Sequence, residues 1–127
     1  MNQKDKKVLL RDLCCRLPYN VICKDNEINC TGKLKSIHIN YNMVTLYDIN
    51  NDEEFSHCCI ENIKPYLFPL SSMMEEQKEE FDRLYTYDAL IVEPQWELID
   101  FCNKHHLDYR GLISKGLAID ATDLNIY

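Results

Sequence analysis

A segment that contains two prolines divides this chain into two parts of different character. Residues 64–74 include Pro65 and Pro69. Proline lacks a backbone N–H and biases the preceding residue toward extended geometry, so we expect neither a helix nor a central strand here. The segment is also too apolar for a solvated linker, since it contains Tyr66, Leu67, Phe68 and Leu70. We therefore interpret it as an extended segment packed on the core, joining a β-rich part to a helical part.

The chain before the prolines has the pattern of short strands separated by turn residues. The apolar phase that runs through Ile28, Cys30, Gly32 and Leu34 slips by one residue near Lys35 and Ser36. A β-bulge or sharp bend at that point would return the later apolar residues to the same face. Gly32 lies just before the slip and permits close approach of another backbone. These features predict a bent strand in a small antiparallel sheet.

The N-terminal region has the spacing of an amphipathic helix over residues 4–17. Apolar residues recur three or four positions apart, as on one helix face. The charged residues of this region fall mainly outside that stripe. The stripe consists of Leu9, Leu10, Leu13, Cys14 and Leu17.

The chain after the prolines predicts two or three helices. Ser72 followed by Glu75 matches a capping box, which places a helix start at Met73. A second helix is expected over residues 94–106, where a proline occupies the first turn. A third, over residues 107–115, would end at a glycine suited to a left-handed cap.

Together these patterns predict a single α+β domain over residues 1–127. We expect an N-terminal helix, then a small, strongly curved antiparallel sheet such as an SH3-like barrel, then the C-terminal helices. The β-rich subdomain would cover about residues 1–70 and the helical subdomain about residues 71–127.

Charge is distributed unevenly along the chain, whose net formal charge is −7. Residues 1–36 carry eight basic and four acidic side chains, a net of +4. The other 91 residues carry six basic and seventeen acidic side chains, a net of −11. An acidic majority argues against a generic duplex-DNA binder, which needs a basic face to neutralise phosphates. The basic N-terminal third still allows a local contact with a nucleic acid or an acidic partner.

The seven cysteines include two adjacent pairs, Cys14-Cys15 and Cys58-Cys59. An odd count favours reduced thiols that pack as small hydrophobic side chains. Zinc-type ligands occur in His57-Cys58-Cys59 and in Cys102-x-x-His105-His106, yet no C-x-x-C knuckle is present. A Cys–His enzyme would use Cys59 or Cys102, but both lie near acidic residues, and a reactive thiolate needs electropositive surroundings. We expect no catalytic residue, metal site or cofactor.

Two surface features are candidates for binding a partner. Four glutamates crowd the start of the helix after the prolines, where the helix dipole favours negative charge. Residues 105–111 concentrate polar, aromatic and cationic side chains between two helices. This second segment also has a structural interpretation, with Asp108 capping the last helix and paired with Arg110, and Tyr109 as a core anchor. The candidate partner-binding residues are Glu75, Glu76, Glu79, Glu80, His105, Tyr109 and Arg110.

Membrane attachment is not expected from this sequence. No apolar run approaches the roughly 20 residues that cross a bilayer. The apolar stretch at residues 8–10 is far too short for the core of a signal peptide. The sequence therefore predicts a cytoplasmic protein.

Three segments carry a resemblance to a known group of proteins. They are Leu10-Arg11-Asp12-Leu13-Cys14-Cys15-Arg16-Leu17-Pro18-Tyr19, Ile63-Lys64-Pro65-Tyr66-Leu67-Phe68-Pro69-Leu70-Ser71-Ser72-Met73, and Phe101-Cys102-Asn103-Lys104-His105-His106-Leu107-Asp108-Tyr109-Arg110-Gly111-Leu112-Ile113-x-x-Gly116-Leu117-Ala118. In these segments the chain resembles small uncharacterised proteins of gut Bacteroidetes phages, prophages and mobile elements. The resemblance spans most of the chain. It implies a phage-like origin and no particular chemistry.

The leading hypothesis is a non-enzymatic interaction module that binds a protein or a nucleic acid. A second hypothesis is a phage-type inhibitor of a host protein, acting in anti-defence or host takeover, whose acidic surface docks on a basic site. A third is a Cys/His-dependent enzyme or a zinc-binding protein, which the absence of a recognisable motif disfavours.

Overall fold

The computed structural model of the protein describes the backbone of residues 1–90 and 96–127, and the side chains of residues 1–85 and 96–127. In chain order the elements are α1 (Gln3–Arg16), β1 (Ile22–Asp25), β2 (Cys30–His38), β3 (Met43–Asp48), β4 (Glu53–Cys59), β5 (Ile63–Leu67), α2 (Glu75–Leu90), α3 (Trp96–Lys104) and β6 (Ile119–Asp120). Short 3₁₀ turns cover Leu17–Tyr19, Ile39–Tyr41, Ile60–Asn62 and Leu70–Ser72.

The N-terminal helix is confirmed to within one residue at each end. The Asn2 side chain accepts a hydrogen bond from the backbone N–H of Asp5, at 2.8 Å, and so satisfies one of the free donors in the first turn. At the other end, Pro18 lies in a 3₁₀ turn and Asn20 has left-handed backbone geometry (φ 57°). The chain thereby leaves α1 and enters the sheet.

The six strands form an open sheet in the order β4-β3-β2-β1-β5-β6. All neighbouring pairs are antiparallel except β5 and β6, which are parallel. The α+β prediction is confirmed, but the strongly curved antiparallel sheet or SH3-like barrel is wrong. Since β5 returns to pair with β1 and not with β4, β4 and β6 remain at opposite edges and the sheet does not close.

The prediction that the proline segment excludes a central strand is also wrong. Its first part is β5, in which Pro65 lies opposite Cys23 of β1. On the other side of β5, β6 pairs only with Tyr66 and Leu67. Pro65 therefore lies outside that two-residue ladder, and its missing N–H leaves no gap in the pairing with β6.

The bulge predicted in β2 is confirmed. The pairing of β2 with β3 shifts register between Leu34 and Ser36. Gly32 lies two residues before Leu34 in β2. A Cβ placed at Gly32 would lie 2.6 Å from the carbonyl oxygen of Tyr47 in β3. The close backbone approach expected at Gly32 therefore occurs against β3.

The helices after the prolines differ from the prediction in their bounds. The Ser72 hydroxyl donates to the Pro69 carbonyl at 2.7 Å and closes a 3₁₀ turn, so it does not cap a helix at Met73, and α2 begins at Glu75. The predicted start of the next helix at residue 94 lies outside the described residues, and α3 ends at Lys104, two residues earlier than expected.

The predicted third helix, residues 107–115, is instead a series of turns. The Asp108 carboxylate accepts hydrogen bonds from the backbone N–H groups of Leu112 (2.7 Å) and Ile113 (2.9 Å). These donors are thus satisfied by a side chain and not by helical carbonyl groups. Gly116 does adopt the expected left-handed geometry, with φ 73°.

The main core lies between α1 and the sheet and is completed by the segment that precedes β6. Its buried apolar members are Leu9, Leu13, Val21, Cys23, Cys30, Leu34, Val44, Leu46, Cys58, Ile60, Ile63, Leu67, Leu112, Leu117 and Ala118. Burial of this apolar surface is the main favourable contribution to folding. In the described part of the chain, no helix has both the length and the apolar character needed to cross a bilayer.

Candidate functional site

Two charged residues of α1 are completely buried. The side chains of Asp12 and Arg16 each have no exposed surface. Arg16 Nε donates to Asp12 Oδ2 at 2.7 Å, and Arg16 Nη2 donates to Asp12 Oδ1 at 3.2 Å. The same Nη2 also donates to the carbonyl oxygen of Leu107, at 2.7 Å. This ion pair therefore connects α1 to the turns at residues 107–115, which we call the turn segment. Leu107 lies 91 residues after Arg16 in the chain.

Two residues of the turn segment extend this buried pair toward the surface. Arg110 Nε lies 3.2 Å from Asp12 Oδ1, and the Arg110 side chain is 26% exposed. The guanidinium carbons of Arg16 and Arg110 lie 5.2 and 5.0 Å from the centre of the Tyr109 ring, within the range of cation–π attraction. Burial is the main cause that raises the pKa of the Tyr109 phenol. Arg16 and Arg110 both contact the Asp12 carboxylate. Because two positive groups share one negative group, this cluster carries a net positive charge.

A cleft of about 230 Å³ lies where Arg110 reaches the surface of α1. Its other lining residues, Lys4, Lys7, Val8 and Arg11, share one helix face because they are spaced three or four residues apart. We call these five residues the basic cleft. No acidic residue lines it in the part of the chain that the structure describes. Lys4, Lys7 and Arg11 also belong to none of the ion pairs found among the described side chains.

The structure places the candidate partner-binding residues predicted from the sequence in two separate groups. On α2, Glu75, Glu76 and Glu79 are exposed and Glu80 is half-buried. His105 belongs with this group, since its Nδ1 lies 3.4 Å from the side-chain nitrogen of Gln77 on the same helix.

The other two candidates, Tyr109 and Arg110, lie against α1. Asp108 does accept backbone hydrogen bonds as a cap would, but it caps a turn and not a helix. The expected pairing of Asp108 with Arg110 is wrong, because Arg110 pairs with Asp12 instead.

Asp12 and Arg16 were not among the residues expected to matter. A signal for them exists in the sequence, because together with Leu9 and Leu13 they follow the spacing of a single helix face. An acidic and a basic residue four positions apart on the apolar face of a helix indicate a buried ion pair.

The cysteines are free thiols, and at least two of the buried ones are held in the protonated form. All seven are free thiols, and Cys23, Cys30, Cys58 and Cys102 are buried. Burial raises the pKa of Cys58 to about 12 and that of Cys102 to about 11, so both thiols are protonated at neutral pH. Since α3 ends before His106, whose φ is 57°, the helical spacing of Cys102 and His106 is not maintained. Within the described ranges, no three His, Cys, Asp or Glu side chains are grouped as metal ligands.

His106 is held as a neutral ring beside the sheet. It stacks on Tyr127, with ring centres 3.8 Å apart and an interplanar angle of 12°. Burial, followed by the positive charges of Arg16 and His105, lowers the pKa of His106 to about 4.

The low pKa of His106 predicts that the protein loses stability in mild acid. Below about pH 6.5 the unfolded chain binds a proton at this histidine, while the folded protein does not until the pH approaches the folded pKa of about 4. This contribution to stability is therefore complete above pH 6.5 and is lost as the pH falls toward 4. The full pKa change corresponds to about 3 kcal/mol, and solvent screening of this partly exposed ring reduces the expected loss to about 2 kcal/mol. Urea unfolding of the wild type and of His106→Gln at a series of pH values measures the difference.

A matched control for this experiment is His38→Gln, since His38 is exposed. We expect this control to keep the wild-type pH dependence. Equal pH dependence in the wild type and His106→Gln would contradict the prediction.

The resemblance found in the sequence names a group of phage and prophage proteins but no chemistry. The buried ion pair, the basic cleft and the neutral histidine described above are properties of this chain's own residues. Comparisons with protein-family models, with curated proteins and with solved structures find no match for this chain.

Proposed function

We propose that the protein is a non-enzymatic interaction module that binds the phosphate backbone of a nucleic acid at its basic cleft. The observation that carries this proposal is the convergence of Lys4, Lys7, Arg11 and Arg110 on one cleft in an otherwise acidic protein. The resemblance to phage and prophage proteins supports a phage-type origin and contributes nothing to the chemistry.

Phosphate is the ligand that fits this lining best. Lysine and arginine supply only donors and positive charge, and the cleft has one apolar contact, Val8. With a rise of about 1.5 Å per residue, Lys4 and Arg11 are separated by about 10 Å along α1. Along the axis of a duplex, successive phosphates of one strand are about 3.4 Å apart, so a helix lying along that axis would span about three intervals, or four phosphates. A run of phosphates can therefore contact all four cations.

The buried ion pair explains why Arg110 is available at this position. Both oxygens of the Asp12 carboxylate already accept hydrogen bonds from Arg16. The charge of this carboxylate is therefore divided between Arg16 and Arg110. The cation–π contact with Tyr109 holds the guanidinium group in place beside the helix. An anionic ligand would therefore meet a positioned arginine whose charge is only partly compensated.

The acidic surface of α2 restricts how such a ligand can approach. Glu75, Glu76 and Glu79 are exposed there and repel phosphates. The overall charge of −7 weakens non-specific binding elsewhere on the protein. Binding should therefore be confined to α1 and should depend strongly on salt.

The test is a binding titration with labelled single-stranded DNA, single-stranded RNA and duplex DNA, followed by fluorescence anisotropy. For four phosphate contacts, log K should fall against log salt with a slope of about −3 on a single strand. Combining Lys4→Gln, Lys7→Gln and Arg11→Gln should lower affinity by about tenfold or more at low salt and should flatten the slope by about 2.

A charge-matched variant distinguishes the effect of the cleft residues on binding from the effect of the protein's net charge. Lys78, Lys104 and Lys115 are exposed and lie outside the cleft. Their triple glutamine variant changes the net charge by the same amount and should bind like the wild type. Equal losses in the two triple variants, or no binding of any oligonucleotide at low salt, would overturn the proposal.

A further inference from the structure

A second and larger cavity, of about 440 Å³, lies on the outward face of the sheet. Its floor includes a cross-strand row in which Ile22 of β1 pairs with Lys33 of β2, and Lys33 pairs with Tyr47 of β3. Residues paired directly across antiparallel strands lie on the same face. The other lining residues include Tyr19, Asn20, Asp48, Asn50, His106 and Tyr127. The volume is in the range typical of small-molecule sites.

One wall of this cavity is fixed before any ligand binds. The Tyr127 hydroxyl donates to the Tyr66 carbonyl at 2.6 Å and accepts from the backbone N–H of Ile22 at 3.0 Å. Its ring stacks on the neutral ring of His106. A wall held in this way loses little conformational entropy when a ligand packs against it.

The cavity contains one ammonium group, from Lys33, and one carboxylate, from Asp48. The Asp48 carboxylate already accepts from the backbone N–H of Asn50 (3.0 Å) and from the Asn51 side chain (2.7 Å). Lys35, which lies outside the cavity lining, pairs with Glu54. Lys33 is half-buried, and the ion pairs found among the described residues do not include it. A half-buried ammonium group in an aromatic cavity favours an anionic ligand.

We propose that this cavity binds a small planar aromatic ligand that carries an anionic group. The ring would pack among the side chains of Tyr19, Tyr47 and Tyr127, and the anion would pair with Lys33. The amide side chains of Asn20 and Asn50 offer donors and acceptors to polar atoms on the ring. A nucleoside monophosphate and a simple aromatic carboxylate share this chemistry, and separate titrations distinguish them.

This site is independent of the proposed nucleic-acid interface. The cavity and the basic cleft have no lining residue in common. The variant Lys4→Gln/Lys7→Gln/Arg11→Gln should therefore bind a small aromatic anion as the wild type does. Either proposal can fail without the other.

The experiment is a two-dimensional ¹H–¹⁵N NMR titration of the full chain with adenosine monophosphate, benzoate, adenosine and inorganic phosphate in separate samples. We expect saturable shifts at the amides of Asn20, Lys33 and Tyr47 with at least one of the two aromatic anions. We also expect adenosine and phosphate to bind at least about tenfold more weakly than the preferred aromatic anion, since each supplies only part of the ligand.

Lys33→Gln should weaken binding of the preferred aromatic anion by about tenfold while leaving adenosine binding unchanged. Lys24→Gln is the matched control, because Lys24 lies on the adjacent strand outside the cavity lining. The proposal is overturned if neither aromatic anion gives saturable shifts, if phosphate alone binds as tightly, or if Lys24→Gln has the same effect as Lys33→Gln. The spectra of both variants show whether each retains the native fold.

Discussion

Replacing Asp12 with alanine is expected to lower the free energy of unfolding by about 3–5 kcal/mol, because it leaves Arg16 as a buried charge without its partner. Both side chains are fully buried, and the carboxylate receives two hydrogen bonds from Arg16. Among the described residues, the guanidinium group would then retain the Leu107 carbonyl as its one hydrogen-bond acceptor. Urea unfolding monitored by circular dichroism measures the loss.

A double variant distinguishes the uncompensated charge from the loss of packing. Asp12→Leu with Arg16→Met replaces the ion pair with apolar side chains and should recover most of the stability. Arg110 is partly exposed and can turn to solvent in this variant. As a surface control, Glu61→Ala removes the exposed pair of Glu61 with Lys6 and should cost less than about 1 kcal/mol. A loss for Asp12→Ala no greater than this control would contradict the prediction.

Gly32→Ala is expected to cost about 3 kcal/mol, the upper part of the range for overpacking a core. A Cβ at this position would lie 2.6 Å from the carbonyl oxygen and 2.7 Å from the carbonyl carbon of Tyr47. These are backbone atoms of a neighbouring strand, so they cannot move aside as the end of a flexible side chain can. Relief requires β2 and β3 to separate next to the bulge. Thermal unfolding of the purified variant measures the cost.

Gly116→Ala is the matched comparison for Gly32→Ala. Gly116 has a left-handed backbone with φ 73°, and a Cβ there meets nothing within 4 Å. Its substitution should therefore cost only the backbone preference, about 1 kcal/mol. If Gly116→Ala were the more damaging of the two, the steric explanation for Gly32 would be wrong.

Three predictions that depend on neighbouring residues in the chain agreed with the structure. The helix over residues 4–17, the bulge near Ser36 and the left-handed geometry of Gly116 follow from periodicity, a phase slip and the absence of a side chain. Whether the sheet is open or closed could not be inferred in this way, because it depends on which strand β5 pairs with. The third C-terminal helix failed because the Asp108 carboxylate provides an alternative set of hydrogen bonds.

The candidate site was predictable only in part. The sequence showed that the first 36 residues are basic and that Arg110 belongs to an unusual segment. It did not show that Arg110 joins Lys4, Lys7 and Arg11 at one cleft, since that requires residues far apart in the chain to meet. The cavity around Lys33 escaped prediction for the same reason.

The sequence by itself determined the local order of this protein: an N-terminal helix, a run of short strands with a bend in the second, and helices after the prolines. It could do so because helix and strand periods and turn residues act over a few positions. The tertiary structure alone decided that Pro65 lies in an interior strand and that Arg110 reaches α1. Both features depend on contacts between segments far apart in the chain: β5 pairs with β1, and the partly buried Arg110 finds its carboxylate partner, Asp12, on the N-terminal helix.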